Sequence, residues 1–137
     1  MLKGIDISTS ALVAQRQRMN TIAGNIAAVN VSHDPKSGDA PFYRRMVTFQ
    51  ADTDSLDPES TGVGVKYKIE IDTDSELRKT YSPGHPHADQ DGNVTYPNID
   101  VVTEFVNALE AGRAYEANIS ALDITKDMFS TSLRILA

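Results

Sequence analysis

Positions 5, 8, 12, 15, 19, 22, 26 and 29 are spaced alternately by three and four, and they carry Ile, Ser, Leu, Gln, Met, Ile, Ile and Val. Six of these eight are apolar, the repeat of a helix that lays one narrow seam against a neighbour. A second run steps through 101, 105, 108, 112, 115, 119, 122, 126, 129, 133 and 136, and nine of those eleven positions are apolar. Asp100 stands where an N-cap or a first-turn acid belongs. A flanking stripe through Val102, Val106, Leu109, Ile124, Met128 and Ile135 widens the apolar face of this second helix beyond what one partner helix covers. The spacing therefore predicts two terminal helices. Leu12, Met19, Ile22 and Ile26 of the first are expected to meet Phe105, Tyr115, Ile119 and Leu122 of the second, in the same or an adjacent subunit, antiparallel if the pairing is within one chain. Phe129 and Leu133 continue the second seam, and the stripe containing Leu109 is left for helices of other subunits. Two helices alone cannot close a bundle core, which argues against a monomeric helical bundle with a β appendage.

Between the helices the period changes. "VGVKYKIEI", Val63 to Ile71, alternates strictly, with Val63, Val65, Tyr67, Ile69 and Ile71 on one face, the pattern of a half-buried strand. "FYRRMVTFQ" at 42–50 is a second candidate strand. "ADTDSLDPESTG" reads as an acidic loop and "YSPGHPHADQDGNVTYPN" as a string of turn signals. An insert of two to four strands fits the length. The expected fold class is α+β, long N- and C-terminal helices forming a coiled-coil-like pair with a small central β-rich domain. Its parts are an N-terminal helix in 1–32, the β-rich domain in 33–98 and a C-terminal helix in 99–137.

Composition agrees with that division. Residues 1–30 carry a charge of +2, residues 31–98 carry −5 with all six prolines, and residues 99–137 carry −3 with a single glycine. The total of −6 argues against nucleic acid, because neutralising phosphates takes clustered Lys and Arg. The absence of cysteine removes disulfides, thiol catalysis and thiolate metal sites. No apolar run approaches the roughly 20 residues that span a bilayer, so an integral membrane protein is not expected. The N-terminus lacks a continuous apolar stretch and a small-residue cleavage site, which speaks against a cleaved secretory signal.

Candidate chemistry is sparse. His85-Pro86-His87-Ala88-Asp89 offers two imidazoles and a carboxylate, acceptable metal donors on a proline-stiffened loop. Asp89-Gln90-Asp91-Gly92-Asn93 lacks the ligand spacing of a calcium loop and reads as a turn. No nucleophile motif or nucleotide-binding glycine pattern occurs, so neither catalysis nor a cofactor is expected. Arg44-Arg45 beside Phe42 and Tyr43 is too small a basic patch for nucleic acid and is better suited to interfacial salt bridges.

Three segments, "SALVAQRQRMNTIAGNIAAVNV", "YSPGHPHADQDGNVTYPNID" and "VNALEAGRAYEANISALDITKDMFSTSLRIL", resemble the flagellar basal-body rod proteins in order and over nearly the whole chain. The central "PGHPHAD" with Gly92, Val94, Tyr96, Pro97 and Asn98 points to a proximal-rod member. The resemblance implies a structural subunit of the periplasmic rod, which transmits torque from motor to hook and filament. It also implies export by the flagellar type III apparatus without a cleaved signal, and assembly with copies of itself and other rod and axial subunits. Terminal helices would pair in the inner tube, with the central domain outside. It brings Asn25, Asn30, Arg113, Glu116 and Asn118 into the expected packing set. The family's usual "NIANxNT" is here "NIAAVNV", with Ala28 and Val31 in place of Asn and Thr.

Two functional classes follow: an axial structural protein, and, as the alternative, a small soluble module whose His-Pro-His loop binds a metal or a peptide. The first carries a further expectation, that the terminal helices are partly disordered in the free subunit and order on assembly.

Overall fold

The computed structural model describes residues 2–53 and 62–136. Its elements in chain order are α1 (Leu2–Ala28), β1 (Arg45–Ala51), β2 (Val65–Ile71), β3 (Arg78–Tyr81), β4 (Asn93–Tyr96) and α2 (Val101–Leu136). The protein is α+β, with a long helix towards each terminus and two small antiparallel sheets between them, one of β1 with β2 and one of β3 with β4. Of the acidic loop read at 51–62, residues 54–61 lie outside the described residues.

The start of α2 is set by Asp100. Its Oδ1 accepts the Val102 N–H at 3.1 Å, its Oδ2 accepts the Thr103 hydroxyl at 2.6 Å, and its C=O accepts the Glu104 N–H at 3.0 Å. These bonds satisfy amides that a helix start otherwise leaves open. They also hold the Asp100 carboxyl below the usual carboxylate range, with the Thr103 hydroxyl as the leading cause and the Val102 amide next. Inside both helices the hydroxyls bond back to their own carbonyls. Ser8 donates to Gly4 C=O, Thr9 to Ile5, Ser120 to Glu116 and Thr125 to Ala121, all between 2.8 and 3.0 Å. These four hydroxyls thus need no outside partner. At the other end of α1 the Val31 N–H reaches the Ala28 C=O at 2.9 Å, and Ala28 is buried.

The string of turn signals at 81–98 turns out to hold the loop of a β-hairpin. β3 and β4 pair antiparallel in the register Arg78↔Tyr96, Lys79↔Thr95, Thr80↔Val94 and Tyr81↔Asn93. Asp89 Oδ1 closes the connecting turn by accepting the Asp91 and Asn93 amides at 3.0 and 2.8 Å. Gly92 sits at φ +80°, where a Cβ would come within 3.0 Å of the Tyr81 ring. A hairpin this short is marginal alone. It gains an extra bridge from His33, whose N–H donates to Thr95 C=O at 2.9 Å.

The chain divides into two compact units: a central unit of residues 20–46 and 69–108, and a terminal unit of 1–19, 47–68 and 109–137. The central unit buries Ile22, Ala28, Val29, Val94 and Ile99 together with Thr21, Asn25 and Glu104. In the terminal unit the buried positions among the described residues are Ala14 and Ala111. Close approach there is managed by Gly62, at φ +130°, where a Cβ would lie 2.7 Å from Ile7 Cδ1. Val65 N–H is taken by Ser10 Oγ at 3.0 Å, and Lys66 pairs with Asp52 at 2.7 Å.

Candidate functional site: an assembly face and a buried polar cluster

Two of the deepest side chains of the central unit are polar. Asn25 and Glu104 are each 1% exposed. Glu104 Oε1 accepts from Arg44 Nε at 2.8 Å and from Arg44 Nη2 at 2.6 Å, while its Oε2 accepts from Asn25 Nδ2 at 3.0 Å. Asn25 Nδ2 also donates to Arg45 C=O at 2.7 Å, and Asn25 Oδ1 accepts the Arg45 N–H at 3.0 Å. Every donor and acceptor of the Asn25 amide that can point into this site is used. A charge this deep persists only with a counter-charge and hydrogen bonds on both oxygens, and Arg44 and Asn25 supply them. The cluster ties together the end of α1, the start of β1 and the first turns of α2. Arg44 C=O in turn accepts the Asp72 N–H at 2.9 Å, and Arg45 lies over the Phe42 ring at 5.1 Å. Arg44 makes a salt bridge within the chain, to Glu104, rather than the interfacial one its sequence context suggested. Glu104 carried no such signal, because an acid in a first helical turn ordinarily complements the helix dipole from the surface.

α2 turns its large apolar side chains the other way. Val102 is 70% exposed and Leu109 66%, with Phe105, Val106, Ile124, Met128 and Ile135 also exposed. The positions it buries or half-buries include Glu104, Asn107, Ala108, Ala111, Gly112, Ala114 and Asn118, small or polar, with Tyr115, Leu122 and Phe129 as the large side chains among them. A seam spaced by threes and fours drifts around a straight helix by about 20° per heptad, so it cannot hold one facing throughout. At the N-terminal turns of α2 it is accordingly Glu104 that is buried and Phe105 that is 56% exposed.

The expected packing residues fall into three groups. Ile22 and Asn25 are buried. Leu12, Met19, Ile26, Tyr115, Asn118, Leu122 and Phe129 are half-buried, and Asn30, Phe105, Leu109, Arg113, Glu116, Ile119 and Leu133 are exposed. Polar side-chain contacts between the helices among the described residues include Asn25 with Glu104 in the central unit and Arg18 with Glu110, at 3.6 Å, in the terminal unit.

The His-Pro-His loop is occupied with holding the fold. His87 Nδ1 and Ser32 Oγ are 2.8 Å apart, joining the loop to the chain just after α1. His85 Nδ1 accepts the His87 N–H at 3.1 Å, which places the His85 proton on Nε2, and the two rings meet edge to face at 5.3 Å. Among the described residues no group of three or more His, Cys, Asp or Glu is placed to hold a metal ion. The metal-binding alternative finds no support in this geometry. Nor, among those residues, is any helix long and apolar enough to cross a membrane.

An outward apolar helix face above a satisfied polar cluster is the construction of a subunit, and comparison with known proteins gives its class. The family described as flagellar basal body rod FlgEFG protein C-terminal matches residues 90–135, the stretch that holds β4 and α2. Over nearly its full length the chain is similar to proteins named flagellar basal-body rod protein FlgC. It is 38% identical to that of Salmonella typhimurium over 98% of this chain and 97% of the relative. The corresponding values are 39%, 94% and 92% for Aquifex aeolicus, and 32%, 96% and 95% for Bacillus subtilis. The chain belongs to the flagellar basal-body rod protein FlgC family, a family of structural proteins rather than enzymes.

Proposed function

We propose that the chain is a structural subunit of the proximal rod, which assembles with copies of itself and with other rod and axial subunits into a helical tube that carries torque through the periplasm. The flagellar export apparatus delivers it. Membership of the FlgC family gives the place, the flagellar basal body. The observation that carries the assembly reading is the exposed row Val102, Phe105, Val106 and Leu109 on α2. A monomer rarely leaves so contiguous an apolar face to water. Head-to-tail contacts that do not close into a ring generate a tube of this kind.

In this reading residues 1–32 and 99–137 form the inner wall as a coiled-coil-like pair, and residues 33–98 pack outside it. Contacts of α1 with α2 at Asn25–Glu104 and at Arg18–Glu110 support the pairing. Because the chain has no cysteine, engineered pairs report cleanly. Leu12→Cys combined with Tyr115→Cys should cross-link on mild oxidation of assembled rods. Full motility with no cross-link in isolated basal bodies would sink the pairing.

A further inference from the structure

The two units are built from stretches of the same two helices, yet burial is shared unequally between them. The central unit has an apolar core with Ile22, Val29, Val94 and Ile99 and, beside it, a polar cluster whose members satisfy one another. The terminal unit buries Ala14 and Ala111 among the described residues, and its Arg18–Glu110 pair leaves Glu110 66% exposed. There α1 is also tied by Ser10 Oγ to the Val65 N–H, but small side chains, a solvated ion pair and a single hydroxyl contact hold a helix less firmly than an apolar core with a satisfied buried charge. Regions held by such different contacts open separately.

We propose that the Asn25–Arg44–Glu104 cluster is a latch that keeps residues 20–28 of α1 and 101–108 of α2 folded in the unassembled subunit, so that incorporation has to order only the remainder of each helix. This rests on the reading that the chain assembles through those remainders. The latch is cooperative because Glu104 bonds both other members and Asn25 bonds both Glu104 and the Arg45 backbone. Without Glu104 the Arg44 guanidinium loses its charged acceptor and Asn25 Nδ2 one of its two acceptors; without Asn25 the Arg45 C=O and Glu104 Oε2 each lose a donor and the Arg45 N–H loses its acceptor. The costly event in making a helix is its first turn. A subunit that already holds one folded end of each helix needs only to extend them when a neighbour covers the apolar stripe.

Hydrogen exchange on the full chain, dilute and shown to be monomeric by sedimentation, tests this. Amides of 22–28 and 102–108 are expected to be protected together with β3 and β4, while 5–17 and 113–133 exchange fast. Glu104→Gln sets an amide donor against the Asn25 amide. It should speed exchange at 22–28 and 102–108 on the order of tenfold to a hundredfold, the effect of leaving a buried group unpaired, and leave the β3–β4 hairpin protected. Asn25→Asp places a second carboxylate against Glu104 and should open the same segments further. Adding Glu104→Gln to Asn25→Asp restores one negative charge opposite Arg44 and should recover part of the protection. Three results would overturn the latch: wild-type 22–28 exchanging as fast as 5–17, unchanged exchange in the variants, or equal loss of protection in the hairpin. A failure of the assembly reading is distinguishable, since it appears as rods that form without this chain while the exchange result stands.

Discussion

The N-terminal half of α2 inverts the usual arrangement of a globular helix. Towards the rest of the chain it presents Glu104, Ala108, Ala111 and Asn118; towards solvent it presents Val102, Phe105, Val106 and Leu109. A lone domain would gain stability from the opposite choice, since each large side chain left in water forgoes roughly 1.5–3 kcal/mol of burial. The difference separates two tasks. The inner face specifies one alignment, by small residues that allow close approach and by hydrogen bonds that only one register satisfies. The outer face supplies the area on which association depends.

Breaking the outer face should give the largest effect on function and the smallest on the free chain. Val106→Asp with Leu109→Asp adds charge at positions already in water, so monomer stability should move by no more than about 0.5 kcal/mol. Rods should not form and swimming in a complementation assay should be lost. Normal swimming by that variant would mean that the stripe is not covered in the assembly.

Breaking the inner face reverses the pattern. Glu104→Ala strands the Arg44 guanidinium, and with Arg44 a quarter exposed (25%) the cost should be about 3 kcal/mol, the lower end for a broken buried pair. Urea unfolding of the monomer measures it. A change under 0.5 kcal/mol, within the usual range for a surface site, would show that the inner face does not carry the specificity assigned to it.

A smaller effect sharpens where α2 begins. The Asp100 carboxyl is held below its ordinary range, chiefly by the Thr103 hydroxyl and then by the Val102 amide. A group with a depressed folded-state pKa stabilises fully above its unfolded pKa, and the contribution is lost as pH falls through the lower folded value. Protection of the amides at 102–104 should therefore fall in acid below the usual carboxylate range. In Asp100→Ala it should be low at all pH values, with no acid-dependent step assignable to this cap. Smallest of all, His87→Ala removes the bond to Ser32 and should cost about 1 kcal/mol. Motility should survive in the His85→Ala, His87→Ala double variant. Loss of motility that added metal restores in the wild type alone would revive a metal role for the loop.

Much of this arrangement is legible in the sequence, and the gaps have physical causes. Helical periodicity gave both long helices to within a few residues, because three-and-four spacing over many turns has no competing interpretation. Strict alternation located β2, and the 42–50 segment overlaps β1. The β3–β4 hairpin was hidden because Arg78–Tyr81 and Asn93–Tyr96 are four residues each, too short for alternation to stand out beside proline and glycine. The dipeptide Asp91-Gly92 before Asn93-Val94-Thr95-Tyr96 was the available hint. The polar cluster was half visible: Asn25 stood beside the seam and Arg44 looked like a pairing residue, but nothing local marks Glu104 as buried. Its burial depends on a guanidinium sixty positions away in the chain, and single-sequence periodicity does not report pairings at that separation.

Asn25 has one more consequence. The Asp72 amide occupies the Arg44 carbonyl on the side of β1 that faces β2, so by the alternation of an antiparallel ladder the Arg45 N–H and C=O point to the strand's unpaired edge. Asn25 bonds both, as a neighbouring strand's peptide would. In the terminal unit, Ser10 Oγ likewise takes the Val65 N–H of β2. Unpaired strand edges recruit other strands, a hazard for subunits brought together at high local concentration. Side chains of α1 therefore occupy the positions at which a foreign strand would begin to pair, which favours contact between subunits through helix faces rather than through sheet extension.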